Sequence, residues 1–280
     1  MAALTAAAAV VVSGCGASRT IGSVVDPVAR AAQVTAKAPG YRLTGTVQVS
    51  SGTVTSQGTM TGTIDTTDHT GVMTSTVTAD GRTAQVAEKF DGTTVYMRSS
   101  AIQGLQSVTG GKPWVEIEYS KAMGAMGLGS LQTSGSDPAQ FVDYLRAVGA
   151  HETRVGTATV GGVSTTHYRV TVDLDHYAQV VPAAQRASAR QGVATLESML
   201  GSHTLPMDVW IDAHQMVRRV AFSLTECVEN QHLHMSMAMN LSDYGQQTIP
   251  QMPAASQTYD LTPVLTAALK KVKLACTGTV

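Results

Sequence analysis

Charged and aromatic residues are scarce in this chain of 280 residues. Asp, Glu, Lys and Arg together make up 14%, and Phe, Trp and Tyr make up 5%. The formal net charge is −1 at pH 7, so we expect no nucleic-acid partner, because such proteins carry a strongly basic surface. Thr, Ser, Gly, Ala and Val fill much of the remaining sequence, a composition typical of a β-rich exported protein.

Long apolar runs are also missing. A membrane-spanning helix needs about 20 consecutive apolar residues, and the run from Ala2 to Val12 is shorter than that. Its length suits the hydrophobic region of a signal peptide. It closes as Val12-Ser13-Gly14-Cys15, an aliphatic, small, small, cysteine order that matches the bacterial lipobox. We therefore predict a lipoprotein signal peptide over 1–14, a lipidated Cys15 and a tether over 15–22.

One expected part of a signal peptide is absent. No Lys or Arg lies between Met1 and Cys15, whereas signal peptides usually begin with a positively charged region. One explanation is a natural start that differs from Met1. The other interpretation of this stretch is a buried Ala-rich helix with a core cysteine.

Cysteine is rare, with three residues in the chain. If lipid occupies Cys15, then Cys227 and Cys276 remain, which is an even number in an oxidising compartment. A disulfide between them would hold the C-terminal segment against a strand. Two buried free thiols are the alternative, because the geometry of a disulfide cannot be read from sequence.

The apolar residues change period along the chain. Residues 23–38 have helical spacing, with Ser23 as a candidate cap and Pro39-Gly40 as the end. Strand-like alternation and turn signals such as Asp80-Gly81 and Gly161-Gly162 then predict about eleven strands. These strands are 41–49, 53–64, 69–78, 83–90, 94–98, 114–119, 151–160, 163–172, 206–212, 217–225 and 232–241.

Other segments interrupt the strands. Residues 120–136 are rich in Gly, Met and Ser and are predicted to form a mobile entrance with exposed methionines. A helix is predicted to open at Asp137-Pro138 and to end at Gly149, with Phe141, Tyr144, Leu145 and Val148 on its apolar face. A helical region covers 175–200, broken at Pro182. A loop covers 245–258, and a last helix opens at Thr262-Pro263.

Alternation places many apolar side chains on one face of the last three strands. Methionine is flexible and polarizable, so a Met-rich face can line an adaptable binding site, although core packing is its commoner role. A packed core and a ligand cavity are therefore the two interpretations of this face. The predicted cavity residues are Met207, Val209, Ile211, Val220, Phe222, Leu224, Leu233, Met235, Met237 and Met239.

Few residues match the motifs of catalytic, phosphate-binding or metal-binding sites. Gly110-Gly111-Lys112 lacks the upstream Gly and the Ser or Thr of a phosphate loop, and no G-x-S-x-G elbow occurs. Cys227, His232 and His234 include copper-binding residue types. Their methionine neighbours should point to the opposite face, so we interpret the histidines as surface residues. We therefore expect no enzyme activity, no cofactor and no metal.

The order of elements resembles the actinobacterial LppX/LprG-type lipoproteins of the wider LolA/LolB-like superfamily. The resemblance covers about residues 23–243. It rests on the phrases at 41–46, 90–98 and 207–220. The chain departs from the family where its last hairpin has Ala213-His214-Gln215 instead of a glycine.

The resemblance implies an α+β fold: about eleven antiparallel strands in a half-barrel, with helices packed on the concave face, as one domain over 23–280. It also implies a monomer that carries the acyl chains of a lipid or lipoglycan in an apolar cavity. Cys15 would anchor it to the outer face of the cytoplasmic membrane, in the cell envelope. A non-carrier scaffold or sensory lipoprotein with the same fold and no lipid cargo is the alternative.

Overall fold

The computed structural model describes residues 26–52, 54–100, 106–126, 128, 145, 148–180, 183, 186–228 and 231–272. These residues form one large sheet with helices packed against it. The helices are α1 (Pro27–Thr35), α2 (Gln106–Thr109), α3 (Tyr119–Ala125), α4 (Leu174–Val180), α5 (Arg186–Leu200) and α6 (Thr262–Leu269).

The described part of the chain contributes twelve strands to this sheet. They are β1 (Gly40–Ser51), β2 (Val54–Asp65), β3 (Thr70–Ala79), β4 (Arg82–Asp91), β5 (Thr94–Ser99), β6 (Trp114–Glu118), β7 (Val148–Val160), β8 (Val163–Asp173), β9 (Thr204–Asp212), β10 (Val217–Val228), β11 (Gln231–Ser242) and β12 (Thr258–Asp260). Their order is β12-β6-β5-β4-β3-β2-β1-β11-β10-β9-β8-β7, so the sheet is open, with β12 and β7 at its edges.

The prediction of a large, open, antiparallel sheet is confirmed, and each of the eleven predicted strands is present. The predicted loop over 245–258 misses β12, which begins at Thr258 and pairs with β6 in parallel. Three residues are too short to show an alternating pattern, so only the neighbouring strand reveals this one. The turns at Asp80-Gly81 and Gly161-Gly162 have positive φ at both residues, as tight hairpin turns require.

The N-terminal helix begins later than predicted. Asp26, not Ser23, is its cap: Asp26 Oδ1 accepts hydrogen bonds from the backbone N–H groups of Val28 (2.8 Å) and Ala29 (2.9 Å). Pro27 follows at the first helical position, where its missing N–H group costs no hydrogen bond. Residues 1–25, including the predicted signal peptide and tether, lie outside the described residues.

The middle of the chain differs most from the prediction. Part of the predicted mobile entrance over 120–136 is helix α3, and Met123 and Met126 pack against the core instead of being exposed. Val148 and Gly149, the predicted end of a helix, lie in strand β7. Leu145 is buried in the core, while the rest of 137–147 lies outside the described residues. The predicted break near Pro182 separates α4 from α5.

The apolar core has two parts. In the first, helices α1, α4 and α5 contact strands β7 to β10, and Val28, Ala31, Val193 and Leu174 are fully or almost fully buried there. The second lies on the neighbouring strands and consists of Tyr41, Leu43, Ile64, Phe90, Met239 and Leu241. The helices therefore cover one half of the sheet with a conventional packed core.

Candidate functional site

One face of the sheet carries most of its apolar side chains, and we call it the inner face. In the cross-strand register Met237 lies opposite both Val47 and Phe222, and Phe222 lies opposite Met207, which lies opposite Val170. Residues opposite one another point to the same side of a sheet. With the alternation along each strand, this register places all ten predicted cavity residues on the inner face.

Six of those ten residues belong to the packed core. Met207, Val209, Ile211, Val220, Phe222 and Met239 are each no more than 5% exposed. Leu224, Met235 and Met237 are half-buried and pack against the same cluster, and Leu233 is half-buried at the end of β11. These positions fill space between sheet and helices, so a ligand cavity lined by them stays a prediction.

The other half of the inner face, on strands β1 to β5, is less deeply covered. Towards one end of these strands the apolar side chains are buried in the second part of the core. The remaining large apolar side chains are half-buried, and they include Val47, Met60, Met73, Val86 and Met97. The contacts of α1, α4 and α5 with the sheet fall on β7 to β10. This half, which we call the β1–β5 face, therefore presents apolar surface that the described helices do not seal.

Glycines lower the floor of the β1–β5 face. Gly45, Gly58, Gly62 and Gly71 lie on it, according to the register of β1 to β3. The ring of Phe90 occupies the space above Gly71, where a Cβ atom would lie 2.1 Å from Phe90 Cζ. Met60 and Val47 likewise fill the space above Gly45 and Gly58, where a Cβ atom would lie 2.9 Å from Met60 Cγ and from Val47 Cγ1. The missing Cβ atoms therefore let neighbouring apolar side chains lie close to the backbone.

Glu88 and Glu226 each place a carboxyl group among apolar side chains of the inner face. Glu88 lies opposite Met73 and Met97, and Glu226 lies opposite Leu233. Burial raises the pKa of both carboxyl groups above the ordinary value of 4.5, because a low-dielectric environment disfavours the charged form. Sequence reasoning missed Glu88, although the alternation of β4 places it beside Val86 and Phe90.

The opposite, outer face is polar. It holds a groove of about 800 Å³ whose floor is made of small side chains and hydroxyl groups, including Thr46, Ala221, Ser223, Ser236 and Ala238. At its edge Arg169 Nε lies 3.3 Å from Asp208 Oδ1. Among the described lining residues, no hydroxyl group is hydrogen-bonded to a carboxylate or an imidazole.

Trp210 near this groove is occupied on both sides of its ring. The His167 ring stacks on it with a centroid separation of 4.3 Å, and the Arg219 guanidinium lies 5.2 Å from its centroid. His167 Nε2 also lies 2.7 Å from Asp208 Oδ1. Trp210 is thus engaged by side chains of both neighbouring strands, His167 in β8 and Arg219 in β10.

The hairpin that departs from the family phrase is held by Asp212. Gln215 has a φ of 63°, a conformation that glycine adopts more readily. Asp212 accepts hydrogen bonds from the N–H groups of His214 (2.8 Å) and Met216 (2.9 Å) and pairs with Arg218 Nε (2.7 Å). Burial opposes ionisation of Asp212, but these N–H groups and the Arg218 guanidinium hold its pKa below the ordinary value.

The lipidation of Cys15 and the disulfide between Cys227 and Cys276 stay predictions. Cys15 and Cys276 lie outside the described residues, and of Cys227 only the backbone position in β10 is described, directly opposite His232. His232 and His234 are exposed, and His234 Nδ1 lies 2.8 Å from Thr225 Oγ1. Their exposure agrees with the interpretation of two surface histidines.

One further cluster has metal-ligating residue types. Asp175, Glu197 and His203 place one ligand atom each within 4.8 Å of one another. His203 Nδ1 lies 2.8 Å from Glu197 Oε1, and this hydrogen bond, with the nearby carboxylates, raises the pKa of His203. Asp175 and His203 are exposed, so the cluster is accounted for as a hydrogen-bonded surface group.

Within the described ranges, no helix is both long and apolar enough to cross a membrane.

Comparison with known proteins gives one relative in sequence and several in structure. No protein-family model matches the chain. A Streptomyces griseus protein, named as an uncharacterized 31.2 kDa protein in the rplA-rplJ intergenic region, is 32% identical over 164 residues. The match covers 56% of this chain and 51% of the relative, so the chain spans about half the length of the curated relative that it matches.

Two solved structures are mycobacterial. LprF from Mycobacterium bovis has a TM-score of 0.44 and 13% identity, and the match covers 80% of this chain and 94% of LprF. The lipoprotein LppX from Mycobacterium tuberculosis has a TM-score of 0.43 and 13% identity, with 80% and 98% covered. Over 80% of its length the chain is similar to LprF and to the lipoprotein LppX.

Proposed function

We propose that this protein is a cell-envelope lipoprotein that binds and carries the acyl chains of a lipid or lipoglycan on its inner face. It acts as a monomer without a cofactor and is not an enzyme. Diacylglycerol on Cys15 anchors it to the outer face of the cytoplasmic membrane. The lipobox at 12–15 and the sequence resemblance to a lipid-carrying family support this proposal.

The observation that carries the proposal is the half-buried β1–β5 face. Val47, Met60, Met73 and Met97 lie there on a glycine-rich floor, and methionine side chains adapt to ligands of varied shape. Transfer of an acyl chain from water stabilises the complex by about 0.8 kcal/mol per buried CH₂ group. An apolar face of this kind can therefore hold a chain without any catalytic group.

Native mass spectrometry of the unlipidated protein tests the carrier function. We expect a mass shift from co-purified lipid, or uptake of added phospholipid. A matched pair of variants in β3 locates the site: Met73→Asp changes the β1–β5 face, while Thr74→Asp changes the outer face of the same strand. We expect Met73→Asp to abolish uptake and Thr74→Asp to retain it, with thermal melts confirming that both variants fold.

Two results would contradict the carrier function or the location of its site. A lipid-free mass together with no uptake of added phospholipid contradicts the carrier function. Uptake that survives in Met73→Asp shows that the ligand binds elsewhere.

A second candidate is a non-carrier envelope scaffold or sensory lipoprotein of the same fold. The burial of six predicted cavity residues, among them Met207 and Phe222, favours it, because these side chains fill the core under α1 and α5. This candidate predicts a lipid-free protein in the same mass-spectrometric experiment.

A further inference from the structure

Resting on the carrier function proposed above, we propose that Glu88 selects the polar group of the bound molecule and that the β1–β5 face takes an amphiphile bearing a primary amine. The site is the floor around Glu88, where a carboxyl group stands among apolar side chains.

Glu88 is surrounded by apolar residues on its own face. Met73 of β3 and Met97 of β5 lie directly opposite it, and Val86 and Phe90 lie two residues away along β4. The side chain is half-buried, and burial is the cause of its raised pKa. A carboxyl group in such surroundings costs free energy unless a partner compensates for the lost hydration.

The nearest cations in the sheet lie on the other face. Lys89 Nζ donates a hydrogen bond to the Gln251 carbonyl (2.6 Å), and the Lys89 ammonium and the Arg98 guanidinium lie 5.8 and 4.9 Å from the centroid of the Trp114 ring. On the inner face of β1 to β6, the described cation is Arg82, six residues along β4 and therefore about 20 Å away. Within the described residues no hydrogen bond or ion pair reaches the Glu88 carboxyl.

An amine supplies the positive charge and the hydrogen-bond donors that the Glu88 carboxyl lacks. A primary ammonium group donates up to three hydrogen bonds and carries the opposite charge, and charge-assisted hydrogen bonds are roughly twice as strong as neutral ones. A hydroxyl group donates one hydrogen bond and carries no positive charge to balance the carboxylate, and an anionic group meets repulsion at this position. The apolar floor holds the chain, and Glu88 discriminates among polar groups.

Dodecylamine, dodecanol and dodecanoate test this inference, because they share one alkyl chain and differ in the polar group. Binding to the full chain is measured by titration calorimetry at pH 7. We expect dodecylamine to bind about tenfold more tightly than dodecanol, and dodecanoate to bind most weakly. Glu88→Gln, which keeps the shape of the side chain, should remove the preference for the amine, so that dodecylamine and dodecanol bind about equally.

Glu226→Gln is the matched control, since Glu226 is also a half-buried carboxyl on the inner face. It should retain the amine preference. Equal binding of amine and alcohol, or an amine preference that survives in Glu88→Gln, overturns the role of Glu88 but leaves the carrier function standing. Binding of none of the three probes contradicts both proposals. Loss of the preference in Glu226→Gln also overturns the assignment to Glu88.

Discussion

The contact between the N-terminus of α1 and the edge strand β7 should make folding stability depend on pH. The carboxyl of Glu152 hydrogen-bonds to that of Asp26, which caps α1. Asp26 Oδ2 and Glu152 Oε2 are buried, and within the described residues no hydrogen bond from an N–H or O–H group reaches these two atoms. The Val28 backbone N–H donates to the Glu152 carboxyl and lowers its pKa, but this effect is smaller than those that raise it. A proton on Glu152 is therefore the donor that lets the two carboxyl groups lie together.

Burial, followed by the hydrogen bond to Asp26 and the Asp26 charge, raises the pKa of Glu152 from 4.5 to about 7. Because the folded state binds this proton more tightly, its contribution to stability is complete below pH 4.5 and disappears as the pH rises through 7. One pKa unit corresponds to about 1.4 kcal/mol, so an unscreened shift of this size corresponds to about 3 kcal/mol. Glu152 is partly exposed, and screening reduces the expected effect to about 1–2 kcal/mol.

Glu152→Gln removes the titrating group, while its amide can still donate a hydrogen bond to Asp26. We expect the variant to match the wild type at pH 5 and to be more stable by about 1–2 kcal/mol at pH 8. Urea denaturation at half-unit intervals from pH 5 to pH 8 measures this difference directly. The difference between the two proteins, rather than either curve alone, isolates Glu152 from other titrating groups.

Asp26→Asn provides an independent check, because Asn caps a helix as well as Asp but carries no charge. It should also reduce the loss of stability between pH 5 and pH 8. A constant difference between wild type and Glu152→Gln over the whole range would refute the idea of a shared proton.

Substitutions at two other sites test the ion pair of Asp212 and the packing of Phe90 on Gly71. Asp212→Asn should lower the free energy of unfolding by about 2–3 kcal/mol in chemical denaturation, because it leaves the half-buried Arg218 guanidinium without its carboxylate; a loss below about 0.5 kcal/mol would contradict this reasoning. Gly71→Ala should cost about 1–3 kcal/mol, since the new methyl group meets the Phe90 ring. Gly124→Ala in α3 is the control for Gly71→Ala, because a Cβ atom added at Gly124 would have no neighbouring atom within 4 Å. We expect Gly124→Ala to leave the melting temperature unchanged or to raise it. Equal melting temperatures for the two alanine variants would show that Phe90 moves away freely.

Local sequence patterns predicted the strands well because alternation with period two is a property of neighbouring residues. The segment from Leu233 to Met239 shows this, since its odd-numbered side chains share the inner face in the structure. The tight turns at Asp80-Gly81 and Gly161-Gly162 follow equally from local chemistry, because few residues tolerate positive φ. The same local reasoning was wrong in predicting a mobile segment with exposed methionines at the start of 120–136. This part of the chain forms the short helix α3, and Met123 and Met126 pack against the core.

The sequence by itself determined that this is a β-rich chain, where its strands run and which side chains share a face. Only the tertiary structure decided which half of that face is sealed by helices, since the alternation of Met73 and that of Met207 look alike. The pairing of β1 with β11 through Leu43 and Leu241, the parallel strand β12 and the contact of Asp26 with Glu152 also depend on residues distant in sequence. Such contacts form only when whole elements pack, and for that reason no local pattern records them.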